Sequence, residues 1–115
     1  MEQDKNTIQE KEFNLDFNET KLSIKFTAFS DLIKISLIDG NNNYENAYTL
    51  EGLSKVHIIF KAINTIQDLF EHFTSIIGKK QYTLKKVKEN EFDLVLKIIF
   101  ISNIEEVPLQ LYKSK

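Results

Sequence analysis

The apolar positions of this chain repeat with a period of two, then near 3.6, then two again. Phe13, Leu15 and Phe17 alternate with polar residues, which predicts a strand over residues 12–17. After the polar break Asn18-Glu19-Thr20, Leu22, Ile24, Phe26 and Ala28 share one face of a second strand. Ile33, Ile35 and Leu37 repeat the pattern beyond the turn at Ser30-Asp31. The run from Asp39 to Asn43 is rich in Gly and Asn, which tolerate positive φ, and it marks the clearest turn. A fourth strand, Tyr44 to Leu50, leads out of it. Strands in series with short links predict antiparallel hairpins.

After Leu50 the period lengthens. Leu50, Leu53 and Val56 fall at helical spacing, in a short helix weakened by Gly52. Ile63, Ile66, Phe70, Phe73 and Ile77 form a longer stripe, widened by Leu69 and Ile76. Thr65 suits the N-cap, with Asp68 and Glu71 near the positive end and Gly78, Lys79 and Lys80 near the negative end. The stripe is short, as expected of a helix packed on a sheet rather than in a coiled coil. Alternation resumes in residues 81–87, and Lys88 to Glu91 make a turn. Phe92, Leu94, Leu96, Ile98 and Phe100 line one face of the next strand. Val95, Ile99 and Ile101 load its other face, as in a central strand covered on both sides. Ile104 falls in a polar turn, and residues 106–112 form the last strand with Val107, Leu109 and Leu111 inward. Pro108 lacks an N–H and belongs at an edge or a strand start.

The expected fold is therefore α+β: a seven-stranded antiparallel β-sandwich or open barrel, with a helix-turn-helix inserted between strands four and five. Residues 1–11 read as a flexible leader, and residues 12–115 as a single globular head domain. A β-grasp arrangement could be cut from the same pattern but leaves strands over.

Composition narrows the function classes. The chain has 115 residues, enough for one core. Its longest apolar run is Ile98 to Ile101, far short of the roughly 18 residues of a membrane helix. The polar, acidic N-terminus is unlike a secretory signal, so a cytoplasmic setting with no membrane partner is expected. There is no cysteine, which excludes disulfides and thiolate chemistry. All 15 basic residues are lysine, so no guanidinium fork is present for phosphate or guanine. Glu89, Glu91 and Asp93 dilute the lysine pairs at 79–80 and 85–86, and nucleic acid is not an expected partner.

Catalytic signals are weak. His57 and His72 are the only histidines, and Asp68 with His72 at i,i+4 offers two ligands where zinc takes three or four. No Gly-x-Ser-x-Gly elbow and no glycine-rich phosphate loop occurs. Glu105-Glu106 and Glu89/Glu91 fall in expected turns, where charge is solvated. Neither enzyme activity nor a cofactor is expected. A ligand site inside the sandwich would require a deep pocket with convergent polar groups. By contrast, Ile99, Ile101, Ile104, Tyr112 and Tyr82 do not all fit one inward face. They are either covered by the helices or form a contact patch.

Three segments carry a resemblance. "YENAYTLEGL" is similar to a strand running into a first short helix, and "FKAINTIQDLFEHFTSII" to a Phe-containing turn leading into an amphipathic helix. "FISNIEEVPLQL" looks like a hairpin that carries an Asn-x-Phe-Lys run before an alternating last strand. Together, over residues 13–112, they resemble the head domains shared by the centriolar cartwheel spindle-assembly protein and the DNA end-joining scaffold protein. The resemblance implies an assembly head of a cytoskeletal or centriolar scaffold, at the centriole, basal body or a related structure. It implies a weak head-to-head homo-oligomer, or docking to other scaffold proteins, and a long coiled coil following the last strand. Carried over by position, Ile104 would be the knob entering a pocket on a second head. Val107 would support it from the strand, with Asn103 and Ile101 completing the interface. Departures are visible: Ile104 replaces an aromatic residue and directly follows Asn103, and Glu105 stands where a basic residue is usual. The alternative is a small structural subunit of a large complex, docked by β-strand addition without self-association.

Overall fold

The computed structural model describes residues 8–114, the Phe100 side chain excepted. Most of the expected leader, and the inward placement expected of Phe100, lie outside the described residues. The elements are β1 (Gln9–Phe17), β2 (Thr20–Ala28), β3 (Ile33–Asp39), β4 (Asn42–Tyr48), α1 (Leu50–Val56), a 3-10 turn (Ile58–Ala62), α2 (Ile66–Gly78), β5 (Tyr82–Lys88), β6 (Glu91–Phe100) and β7 (Asn103–Lys113). The strands form one antiparallel sheet, in the order β1-β2-β3-β4-β7-β6-β5, curled into a half-barrel with the helical insert between β4 and β5. The open-barrel form of the expected fold is the one adopted. No helix among the described residues is long and apolar enough to cross a membrane.

Strict alternation builds the inner wall. Leu22, Ile24, Phe26 and Ala28 of β2 and Ile33, Ile35 and Leu37 of β3 are buried, as are Phe92, Leu94 and Leu96 of β6 and Val107, Leu109 and Leu111 of β7. Curling brings distant strands together: Phe17 of β1 meets Phe92 of β6 edge-on at 5.5 Å between ring centroids, and Tyr44 of β4 meets Phe92 at 4.7 Å. The insert supplies the remaining cover. Thr65 Oγ1 accepts the Asp68 N–H at 3.0 Å and starts α2 where the sequence places it. The α2 stripe Ile66, Leu69, Phe70, Phe73 and Ile77 is buried against the strands.

β1 begins at Gln9, three residues before the expected strand, because Gln9, Glu10 and Lys11 pair with Ala28, Thr27 and Phe26. The 3-10 turn is unannounced by periodicity: His57 Nδ1 accepts the Ile59 N–H at 3.1 Å and caps it. The expectation that β6 is covered on both faces fails. Val95 is buried, but Ile99 and Ile101 are exposed, since no second layer lies over the outer face there.

The two halves of the sheet meet at a narrow seam, where only Tyr44↔Lys113 and Glu45↔Tyr112 are paired between β4 and β7. Beyond it side chains replace the ladder: the Tyr48 hydroxyl donates to the Gln110 carbonyl at 2.7 Å and Asn46 Nδ2 donates to the same oxygen at 3.0 Å. Burial pushes the Tyr48 hydroxyl up to about 12, so it remains a neutral donor. Lys113 directs its N–H to Asn90 on the β6 side. Alternation then turns position 108 toward the β4 side, where the ladder is missing, and Pro108 forfeits no strand hydrogen bond.

Candidate assembly interface

The site is built where β6 outruns β5. Their register ends at Tyr82↔Leu96, and the Lys97 N–H donates to the Gln81 carbonyl at 2.9 Å. The rest of the β6–β7 hairpin projects past the sheet edge. β7 starts at Asn103, so Ile104 does not sit in a turn as expected. It lies in the strand, directly opposite Ile99 on the outer face. The turn itself is Ile101-Ser102, both at positive φ. Ile99, Ile101 and Ile104 are 70%, 77% and 69% exposed, and they give the hairpin an apolar tip.

The other residues expected at the interface separate by depth. Asn103 is exposed beside the tip, opposite Phe100 in register. Val107 is only 1% exposed and pairs with Leu96 in the core, so it fixes the root of the hairpin from beneath. Tyr82 packs against the core, and Tyr112 is half-exposed on the far end of β7, its hydroxyl donating to Gln110 Oε1.

Next to the tip lies a groove of about 410 Å³. Its walls are Ile59, Phe60 and Ile63 around the 3-10 turn, Phe73 and Ile76 of α2, and Ile98 and Ile99 of β6. It exists because α2 stops at Gly78 and β5 begins only at Tyr82, which leaves the free margin of β6 facing the insert. His72, Lys79, Gln81 and Lys97 contribute its polar groups. Glu105 and Glu106 directly follow Ile104, and Glu106 stands opposite Lys97 across the hairpin.

One imidazole ties the two parts together. Because His57 Nδ1 accepts from Ile59, its Nε2 carries the hydrogen and donates to Glu105 Oε1 at 3.1 Å. The hairpin root is thereby held to the turn that walls the groove. Periodicity could not have found the groove, whose walls come from three separated segments. The apolar character of the tip was legible as isoleucines that did not fit one inward face.

The two free sheet edges differ. β5 has a register shift between Lys86 and Lys88, and Lys86 turns inward with its ammonium 5.3 Å from the Phe92 ring centroid. A bulge and an inward charge both obstruct strand addition. β1 carries a comparable charge, Lys11 with its ammonium 5.3 Å from the Phe13 ring centroid, but it has no bulge and runs in unbroken register with β2 from Gln9 to Phe17. Its outer face carries Glu10, Glu12 and Asp16, with Glu10 paired to Lys25 at 3.4 Å.

Among the described residues no group of three or more His, Cys, Asp or Glu could hold a metal ion. No family model matches the sequence, and no curated protein matches it. Among solved structures, the head domain of human CCDC61 aligns with 92% of this chain and 97% of that chain, at a TM-score of 0.71 and 9% sequence identity. A likeness of this kind is one of architecture, and the chain shares the fold of that head domain.

Proposed function

We propose that this chain is a non-enzymatic assembly head that pairs with a second copy of itself, the isoleucine tip of each hairpin entering the groove of the other. One observation carries the reading: an exposed apolar tip followed by Glu105-Glu106 stands beside an apolar groove rimmed by Lys79 and Lys97. Because tip and groove share one end of the molecule, a two-fold axis lets both contacts form at once. The fold shared with the CCDC61 head domain supports the same reading, as does the resemblance to cartwheel and end-joining heads. On this reading the chain acts in a cytoskeletal or centriolar scaffold.

The pairing is weak by design. Burying one isoleucine contributes about 1.5–3 kcal/mol, while association costs at least roughly 4 kcal/mol in lost freedom. Isolated heads pair only at high concentration, and linkage in a longer assembly raises the effective concentration. Reversing the rim charges with Lys79→Glu and Lys97→Glu together is expected to weaken pairing about tenfold, as read by sedimentation equilibrium. An unchanged dissociation constant for that double variant refutes the proposed match of acidic tip to basic rim.

The regular, bulge-free β1 edge favours a second reading, a head that takes up a basic extended segment by strand addition. Its mark is a monomer whose Glu10–Asp16 amides gain hydrogen-exchange protection when a lysine-bearing β-peptide is added. No added protection rejects it.

A further inference from the structure

Among the described residues, three hydroxyls have a carboxylate three positions further along the chain: Ser36 with Asp39, Thr65 with Asp68, and Ser102 with Glu105. A protein kinase that selects its acceptor by charge reads this spacing, through basic subsites on the C-terminal side of the acceptor. The fold separates the three. Ser36 is only 6% exposed, and its Oγ donates to Glu45 Oε1 at 3.4 Å. Thr65 Oγ1 is engaged by the Asp68 N–H as the N-cap of α2. Ser102 is exposed, and its hydroxyl has no hydrogen-bond partner among the described residues.

Ser102 also stands where an enzyme can reach it. The apex of the β6–β7 hairpin projects beyond β5, whose register with β6 ends at Tyr82↔Leu96. Ile101 and Ser102 are both left-handed, at φ 50° and 66°, although neither is the Gly or Asn that such a turn favours. Opening the apex into the extended form that a kinase cleft binds therefore releases strain. The opening stops lower down, where His57 Nε2 donates to Glu105 Oε1 at 3.1 Å and buried Val107 pairs with Leu96. Two carboxylates follow the acceptor: Glu105 keeps 39% of its side chain exposed, and Glu106 is exposed opposite Lys97.

We propose that Ser102 is a phosphorylation site for an acidophilic serine kinase, and that the phosphate switches off the apolar tip. Ser102 Oγ attacks the γ-phosphorus of ATP, its O–H proton passes to the catalytic carboxylate of the kinase, and ADP leaves. The product carries about −1.5 to −2 charges at pH 7, next to the exposed isoleucines at 99, 101 and 104. The switch rests on the head-to-head reading; the site does not.

ATP and a purified acidophilic serine kinase, applied to the folded chain, test both halves, with the phosphate located by tandem mass spectrometry. Ser102 is expected to be modified while Ser36 and Thr65 stay bare, and Ser102→Ala is expected to leave all three positions bare. Glu105→Gln combined with Glu106→Gln is expected to slow incorporation about tenfold or more, with thermal melts checking that both variants are folded. A bare Ser102, phosphate on Ser36 or Thr65 in its place, or an unchanged rate in the double variant overturns the site. Sedimentation equilibrium is expected to show pairing at least about tenfold weaker in the phosphorylated chain than in the unmodified one. Equal pairing in the two overturns the switch and leaves the site standing. A monomeric unmodified chain overturns the head-to-head reading and the switch together, and the site again stands or falls on the mass spectra.

Discussion

Phe73→Ala is expected to cost the fold about 3–5 kcal/mol, the largest stability loss foreseen for a single side chain here. Phe73 is fully buried on α2, with its ring 5.9 Å from Phe26 and 6.1 Å from Phe60 between centroids. Phe26 in turn meets Phe13 at 6.4 Å, so one side chain links β1, β2, α2 and the 3-10 turn. Truncation removes the transfer energy of the ring and leaves a cavity that three separate elements must close. Domains of this size are stable by only about 5–15 kcal/mol, so the variant should melt on the order of 15 °C lower. Phe73 and Phe60 also line the groove, so pairing should be lost along with stability. A shift of the urea midpoint with an unchanged slope would show that stability alone has changed. A variant with wild-type stability would mean that α2 does not close the half-barrel as described.

Ile104→Glu is expected to act in the opposite way, leaving the fold intact and abolishing pairing. Ile104 is exposed and faces Ile99 across the hairpin, and a surface change of this kind stays within about 0.5 kcal/mol of wild-type stability. In the paired state the same position is desolvated. The substitution removes an apolar contact worth about 1.5–3 kcal/mol and asks a carboxylate to enter an apolar groove, at several kcal/mol more. Dissociation should strengthen by at least about a hundredfold, beyond the range of light scattering at practical concentrations. Wild type and Ile104→Glu scattering alike at high concentration would remove Ile104 from the interface.

These two positions also mark what the sequence could reveal. Phe73 belongs to a helical stripe whose 3- and 4-residue intervals leave little choice of face, and the strand core from Leu22 to Leu37 alternates as strictly. The start of β1 was hidden because Gln9 and Lys11 occupy positions that alternation would fill with apolar side chains. The 3-10 turn depends on a side-chain cap from His57, which periodicity does not record. On β6, the pattern Val95, Ile99, Ile101 read as double coverage, because alternation reports which face a residue is on and not whether that face is covered. The hairpin turn was misplaced by two residues for a related reason. Ile101-Ser102 lacks the Asn or Gly that normally marks such a turn, and Asn103-Ile104 looked like the polar break instead. The groove was invisible because its walls come from the 3-10 region, α2 and β6, which only the fold brings together.

Pairing of this head with itself through its hairpin is open to sedimentation equilibrium of the wild-type chain over a wide concentration range. The weight-average mass is expected to start at the 13.5 kDa of the monomer and climb toward the dimer as concentration rises, with Ile104→Glu flat throughout. A wild-type mass that stays at 13.5 kDa at every concentration would contradict it.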